Sequence, residues 1–531
     1  MKIRDSRWPG HASCLVLASL LAACGGGGET TPRAVLAGAS NVAAEPGETL
    51  APPTLASSSN IAAEPSTQGV TPFIGFVQLR GTSVAGLSTV RYVIATKPGT
   101  ASKPVDVTYR IEALARRGYL PSSGGAVVLP VFGLYANHAN NVSVELRFTD
   151  GSSKTIPLQI ATAAYVDPNH VYDTPVVLTR RTAGTSLGFD FFAMKGRLGT
   201  PVVVDSDGEM RWVGLGTNNS FSSAFQDNAF IVGSANSTKI DRLEFDGTVS
   251  STSIASNAYT YFHHNIDHGK QGLLIEPNAI DASGVENVET IAAEIASDGT
   301  LIHAWDFAAL LGDYMRSQGD DPSTFIRPGV DWFHMNATTY DPRDDTVLVS
   351  SRENFVIKVD YRTGAIVWIF GDPTKYWYSF PSLRAKALTL EPGGLYPVGQ
   401  HALEIASDGS LRLFNNGFAS LNQPAGSPKG ENRSYSAVST YTFDVATRTA
   451  RETSRFENGQ TILSDICSNA YEASGGSLLI NYAAAQSRKM ARVVGVDASR
   501  NVVFDFQYNS PTPCAASWNA VVVPFDAMRF D

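Results

Sequence analysis

From about Val70 onward, apolar and polar residues alternate with a period of two in many short runs, the spacing of strands with one buried face. In Val142-Ser-Val-Glu-Leu-Arg-Phe148 the apolar residues share one side, and the Asp150-Gly151 turn leads into a second run, Lys154 to Ile160. Residues 70–165 are therefore expected to form a small antiparallel β-sandwich. After about Pro175, β-rich runs flank a series of tight turns: Asp205-Ser-Asp-Gly208 before Trp212, Phe245-Asp-Gly247, Ser297-Asp-Gly299 before Trp305, Tyr361-Arg-Thr-Gly364 before Trp368, Asp444-Val-Ala-Thr447 before Phe456, and Asp497-Ala-Ser-Arg500 before Phe506. Six turns in roughly 350 residues give about sixty residues per unit, enough for four strands and variable loops. The chain is thus predicted to be all-β: a six-bladed β-propeller at 175–531 preceded by a sandwich at 70–165. A large sandwich or β-helix accommodates the uneven spacing less well.

The first residues have a different pattern. Lys2, Arg4 and Arg7 precede a short apolar run from Cys14 to Ala23, too short to span a bilayer and typical of an export signal. Leu21-Ala-Ala-Cys24 resembles the lipobox of bacterial lipoproteins, which implies cleavage before Cys24, lipidation of that cysteine and a periplasmic protein anchored by lipid, with outer-membrane sorting compatible with Gly25. A plain signal peptide cut at another small residue is the alternative. Residues 25–69 are rich in Gly, Ala, Ser, Thr and Pro, repeat Ser40-Asn-Val-Ala-Ala-Glu-Pro46 as Ser59-Asn-Ile-Ala-Ala-Glu-Pro65, and are expected to be a disordered linker. The signal occupies 1–24.

A net charge of −9 without a basic stripe argues against nucleic acid as a partner. With Cys14 in the signal and Cys24 lipidated, Cys467 and Cys514 remain, an even number in an oxidising compartment and so an expected disulfide. Neither has a close second ligand, and no metal is expected.

The innermost strand of each propeller blade faces the central channel, so histidines at matched places in successive units converge. Three units match: Phe262-His-His264-Asn-Ile-Asp267, Trp332-Phe-His334-Met-Asn336 and Gly399-Gln-His401-Ala-Leu-Glu404. The likeness of His264-Asn-Ile-Asp267 to His401-Ala-Leu-Glu404 selects His264 over His263 as the inward residue, and strand alternation points His263 to the other face. By the same rule His334 and Asn336 share a face, and Arg352 reaches back to them from the next strand. His11 leaves with the signal, and His138, His170, His268 and His303 are assigned no role.

These residues resemble the bacterial arylsulfate sulfotransferase family, which transfers sulfate between phenols without phosphoadenosyl phosphosulfate. The resemblance covers about Val70 to Asp531. It is carried by Asp331-Trp-Phe-His334-Met-Asn336, Tyr340-Asp341, Ser350-Ser-Arg352, Lys358-Val-Asp360, Trp368-Ile-Phe-Gly371, Gln400-His401, Phe414-Asn-Asn-Gly417 and Gly133-Leu-Tyr-Ala-Asn137. It implies a propeller behind a sandwich, His401 as a nucleophile that becomes sulfated, and His264, His334, Asn336 and Arg352 as the other site positions. Family members often carry Asp where this chain has Asn415.

Sulfuryl transfer needs donors around the moving group and an acid at the departing phenolate. Arg352 and Asn336 suit the first task, His334 and His264 either task, and a neutral imidazole at His401 is a good nucleophile for a two-step, ping-pong transfer. The loop Lys375-Tyr-Trp-Tyr-Ser-Phe380 is a candidate aromatic wall, with packing on the propeller rim as its alternative. The chain has no phosphate-loop, zinc-protease or nucleophile-elbow motif, and neither Cys467 nor Cys514 sits in a C-x-P-x-R sulfatase motif. The expected partners are a small-molecule aryl sulfate donor and a phenolic acceptor, with no cofactor, no nucleic acid, a membrane only through the lipid, and a homodimer left open. The competing functions are a non-catalytic lipoprotein propeller serving as a binding or assembly scaffold and a sulfatase-like hydrolase.

Overall fold

Each of the six predicted turns joins two consecutive strands of one sheet. The computed structural model describes residues 60–531 except 121–125, 198, 217–219 and 282; the signal, Cys24 and the linker up to residue 59 lie outside the described residues. Six sheets of four or five strands, antiparallel except for the short edge strand Thr389–Leu390, surround a channel. From the channel outward, the second blade is Ser223–Gln226, Ala229–Gly233, Lys239–Glu244 and Val249–Ser253. The innermost strands of the third to sixth blades are Tyr259–His268, Met335–Asp341, His401–Ile405 and Asn469–Glu472.

The ring closes by exchange between distant parts of the chain. The innermost strand of the first blade is Asn519–Val522, from near the C-terminus, paired with Phe191–Lys195. The outermost strand of the sixth blade is Val176–Thr179, which precedes the first blade in sequence and pairs with Val502–Asn509. A disulfide joins Cys467, just before the sixth blade's inner strand, to Cys514, just before the closing strand.

The sandwich packs a three-stranded sheet, Ala62–Gln68, Ile74–Arg80 and Ala126–Phe132, on a five-stranded one. The fifth strand, Met528–Phe530, lies parallel to Val105–Arg110 and is the end of the chain. Strand Ala62–Gln68 corrects the expected linker boundary at residue 69. Despite the small and polar residues of this segment, its backbone pairs with Ile74–Arg80, and Ile61 is buried.

Sandwich and propeller share a core. Phe132 of the sandwich stacks on Phe245 of the second blade, with ring centroids 4.9 Å apart, and Phe525 sits edge-on to Phe245 at 4.8 Å. Arg211 is fully buried at this junction. Its guanidinium donates to the Gly133 carbonyl and to Asp205, and lies 3.6 Å from the Tyr135 ring centroid. That contact gives Gly133-Leu-Tyr-Ala-Asn137 a structural reason: Gly133 adopts a φ of +84°, exposing a carbonyl that the buried charge needs. Among the described residues no helix is long and apolar enough to cross a membrane.

Candidate active site

The inner strands run from one mouth of the channel to the other, and residues at or beside their starts line a cavity of about 860 Å³, within the usual size range for a small-molecule site. Every blade contributes: Trp518 from the first, Phe221 from the second, His263 and His264 from the third, His334 from the fourth, His401 from the fifth and Cys467 from the sixth. Arg352, at the end of strand Thr346–Ser351, also lines it, and its backbone N–H donates to the His334 carbonyl at 3.0 Å. A second cavity of about 570 Å³ at the far mouth is lined by Asp267, Glu404, Tyr471 and Glu472.

The inner strands of the histidine-bearing blades are not regular. In the third blade Phe262 pairs with Pro277 and Ile266 with Ile275, so four steps on one strand oppose two on its neighbour. In the fourth, Met335 pairs with Ser351 and Ala337 with Ser350, leaving Asn336 in a bulge; in the fifth, His401 pairs with Phe414 and Leu403 with Leu413, leaving Ala402 in a bulge. Bulges re-aim side chains and cancel alternation. Two expectations are corrected on that ground. His263 does not turn away: its Nδ1 lies 2.8 Å from Nδ1 of His264 and both residues line the cavity. Asn336 does not share a face with His334. It sits deeper in the channel, beside a small void bordered by Asn265, His401 and Asn519, and its Nδ2 donates to the Gln400 carbonyl at 2.7 Å.

The His401 ring is fixed at both nitrogens. Nδ1 is 2.8 Å from Oδ1 of Asn416 and 3.0 Å from the Gly399 carbonyl, both acceptors when the Asn416 amide also donates to the Ser464 and Cys467 carbonyls. Nδ1 therefore carries the proton and Nε2 the lone pair, which accepts from the Cys467 backbone N–H at 3.2 Å. Burial, aided by the Arg352 charge, holds the His401 pKa down at about 3, so the ring is neutral. The residue on His401 is Asn416; the neighbouring Asn415 instead accepts from the Val398 N–H and donates to the Tyr396 carbonyl.

His334 is the opposite case. Its Nδ1 hydrogen-bonds to Oδ2 of Asp331 at 2.6 Å and lies 2.8 Å from Oε2 of Glu289. Burial pulls its pKa down, but the Glu289 and Asp331 charges outweigh that and raise it to about 10. His263 and His264 have no such compensation: burial, with the nearby His334 charge, lowers both, His263 to about 3. His264 lies 4.9 Å from the His334 ring and 5.0 Å from Trp518, centroid to centroid.

Arg352 is 1% exposed. Its Nη1 donates to Glu353 at 2.6 Å, while Nε and Nη2 have no protein partner among the described residues. Buried guanidinium donors without partners suit an anionic ligand. Two donor sets are close enough to hold a divalent cation, His264 with Glu289 and His334, and His263 with His264 and Glu276. In both, histidine nitrogens are already engaged, His334 with Asp331 and His263 with His264.

The aromatic walls are Phe221, Tyr261, Phe262 and Trp518. The loop Lys375–Phe380 is not among them, because Trp377 is buried against Phe355, and Tyr376 and Phe380 pack on Phe325. Its contribution is Lys375, whose Nζ donates to the Arg352 and Glu353 carbonyls. Burial lowers that amine to about 8. Trp518, Phe221 and Glu289 carry no signal in the sequence strong enough to single them out, and Asn416 stands in the Phe414-Asn-Asn-Gly417 motif without a sign of its contact with His401. A carboxylate three residues before His334, Asp331, was the one readable hint of its charge state.

The site and fold define a propeller with a histidine- and arginine-lined anion pocket. The arylsulfotransferase (ASST) family model matches residues 179–519, more than half of the chain, and the chain belongs to that family. It is 25% identical over 189 residues to arylsulfate sulfotransferase AssT of Escherichia coli O6:H1, a match covering 27% of this chain and 31% of that protein, so it spans under a third of that relative's length. Among solved structures it is similar to the Cps50 (Swd1) β-propeller domain of Myceliophteria thermophila (11% identity, 64% of this chain and 100% of that one, TM-score 0.30). It is also similar to BamB of Moraxella catarrhalis (12% identity, 71% and 96%, TM-score 0.25). The propeller itself is defined by the strand order.

Cys467 links the disulfide to the His401 ring through its backbone N–H, and its own φ is +57°. The bridge closes a loop with a sequence separation of 47. On the chain-entropy account its removal by Cys467→Ser with Cys514→Ser lowers stability by roughly 4 kcal/mol. Denaturant midpoints of the double variant should fall accordingly, and the His401 ring should lose its fixed orientation, read as broadening of its NMR signals.

Proposed function

We propose that the protein is an arylsulfate sulfotransferase that moves a sulfuryl group from a phenolic sulfate ester to a phenolic acceptor in two displacements through a sulfohistidine on His401. The observation that carries this reading is the pairing, across one cavity, of a neutral imidazole whose Nε2 bears the lone pair with an arginine whose Nε and Nη2 are unpartnered. In the first displacement the Nε2 lone pair exchanges the Cys467 N–H for the sulfur atom it attacks, the sulfur–oxygen bond to the aryl group breaks, and its electron pair leaves on the phenolate. The Arg352 donors hold the sulfuryl oxygens, where charge concentrates. The imidazolium of His334, with Nδ1 engaged by Asp331, gives the phenolate the proton on Nε2. In the second displacement an acceptor phenol attacks sulfur, the nitrogen–sulfur bond returns its electrons to Nε2 of His401, and the phenol proton goes to His334. The His334 pKa of about 10 is close to that of a phenol, about 10, so the proton passes either way with little driving force, as transfer between two phenols requires.

Phe221 and Trp518, with ring centroids 4.1 Å apart, suit the aromatic part of both substrates. Asn336 acts at a distance in this scheme: it fixes the Gln400 carbonyl next to His401 and so positions the nucleophile. His264, neutral and between His334 and Trp518, is a further oxygen donor. The lipobox-like sequence ending in Cys24 supports a periplasmic protein anchored to the membrane by lipid; Cys24→Ser should release it into the soluble periplasmic fraction, and retention in the membrane fraction would contradict the anchor.

Release of nitrophenol from nitrophenyl sulfate should depend on added phenol, and a donor-only sample should show one added sulfuryl group on the peptide containing His401. His401→Ala should remove both. Release that ignores the acceptor would identify a hydrolase, and no turnover with any aryl sulfate would leave a binding propeller. Because the acid form of His334 is needed for the first step and its pKa is raised, the donor half-reaction should be flat through neutral pH and fall as pH rises through about 10.

A further inference from the structure

Glu289 belongs to the turn between strands Glu286–Asn287 and Ile291–Ile295 of the third blade. Its backbone is held in the left-handed region, φ +51°, a conformation uncommon for any residue other than glycine. Both of its backbone groups are pinned: its N–H donates to Oδ1 of Asn278 at 2.8 Å, and its carbonyl accepts from the Met335 N–H at 2.9 Å. Met335 directly follows His334, which is itself at φ +51°. Two residues in a costly conformation are thus tied together across two blades, and such outliers mark places where surrounding structure enforces a geometry.

What is enforced is the position of one carboxylate. Glu289 Oε2 is 2.8 Å from His334 Nδ1 and 3.8 Å from His264 Nδ1. The Nδ1 proton of His334 is directed at Asp331, so Glu289 Oε2 receives no aligned hydrogen bond and acts as a bare charge beside the ring. Among the other titratable or charged groups of the cavity, which include His263, His264, His401 and Arg352, the one carboxylate is Glu353, and it is committed to Arg352 and to the Leu421 and Asn422 N–H groups. Asp331 is shared, since the same Oδ2 also accepts from Nδ2 of Asn422. Burial raises the Glu289 pKa above the ordinary carboxylate value, and the His334 charge beside it opposes that rise and favours the carboxylate.

We propose that Glu289 is the positioning residue of the proton donor: by its fixed carboxylate it keeps His334 an imidazolium aimed into the cavity, and so sets which phenols can leave. The inference rests on the sulfotransferase reading for its kinetic consequence but not for its physical one. An acid matters most where the departing phenolate is strongly basic and least where it is a nitrophenolate. Glu289→Gln keeps the shape and removes the charge. It should lower the transfer rate about 10²-fold for sulfates of ordinary phenols, within the range general acids contribute, and far less for nitrophenyl sulfate. The alkaline fall in rate should begin at lower pH. Glu289→Asp, keeping the charge on a shorter arm, should recover part of the loss.

The independent readout is the titration of His334 followed by NMR of ring-labelled protein, assigned with His334→Gln. In the wild-type chain the ring should remain protonated well above neutral pH, and in Glu289→Gln it should deprotonate at least one pH unit lower. An unchanged His334 titration, or a loss of rate equal for all leaving groups, would overturn the proposal. If the wild-type chain transfers no sulfuryl group but the titration shifts, the sulfotransferase reading fails and the role of Glu289 in charging His334 stands.

Discussion

A guanidinium removed from water must be paired, and that requirement organises the site. Arg352 and Glu353 are 1% and 0% exposed, adjacent in sequence and bonded at 2.6 Å. An ion pair this deep in the protein recovers its desolvation cost only when the remaining donors and acceptors are also met. Glu353 meets its own by accepting from the Leu421 and Asn422 backbone N–H groups, which fixes that loop over the cavity. Asn422 in turn donates to Asp331, the hydrogen-bond partner of His334. Through one carboxylate, the position of the arginine, the loop above it and the orientation of the charged histidine become a single arrangement. Arg352 is left with two donors that no described residue satisfies, and the deficit favours an anion in the cavity.

The same cavity keeps two imidazoles in opposite states. His401 and His334 both lose hydration, which by itself favours the neutral ring in each. Arg352 reinforces that preference at His401, whereas Glu289 and Asp331 reverse it at His334. A neutral imidazole and an imidazolium therefore arise from one residue type, separated by the placement of three charges. Groups pushed apart in this way are the usual signature of divided acid and base roles. Asn416 completes the assignment at His401, because an amide oxygen held by its own two N–H bonds can only accept.

The six hairpins were legible because their turns are local. Gly208, Gly247, Gly299 and Gly364 have positive φ at the turns where the sequence places them, and a few residues suffice to specify such a reversal. Ring closure was not legible, since Asn519–Val522 and Met528–Phe530 are short runs whose partners, Phe191–Lys195 and Val105–Arg110, lie hundreds of residues away. The convergence of His264, His334 and His401 followed from matched places in repeats, yet the finer geometry did not. Alternation mis-aimed His263 and Asn336 because a bulge is decided by which backbone bonds the neighbouring strand forgoes, which leaves little trace in residue types. Glu289 and Trp518 escaped for a related reason. One lies in an irregular turn and the other before a strand whose blade membership depends on closure.

Bulged inner strands explain why a fold of regular sheets can carry such a site. A flat inner strand sends every second side chain into the channel at about 7 Å intervals along its axis, so it cannot present two consecutive residues such as His263 and His264 to one cavity. The bulges at 263–265, 336 and 402 break that spacing where the histidines stand, and the positive φ angles of His334, Ala402 and Cys467 lie at the same level. Each such backbone conformation costs about 1 to 3 kcal/mol unless its surroundings hold it. The holding contacts are identifiable: the Glu289 carbonyl on Met335, the Phe414 pairing of His401, and the disulfide behind Cys467. Outer strand pairs carry register shifts of their own, between Val203 and Val204, Glu294 and Ile295, Lys358 and Val359, Thr440 and Tyr441, and Gly495 and Val496, but only those at the starts of the inner strands re-aim side chains that line the histidine cavity.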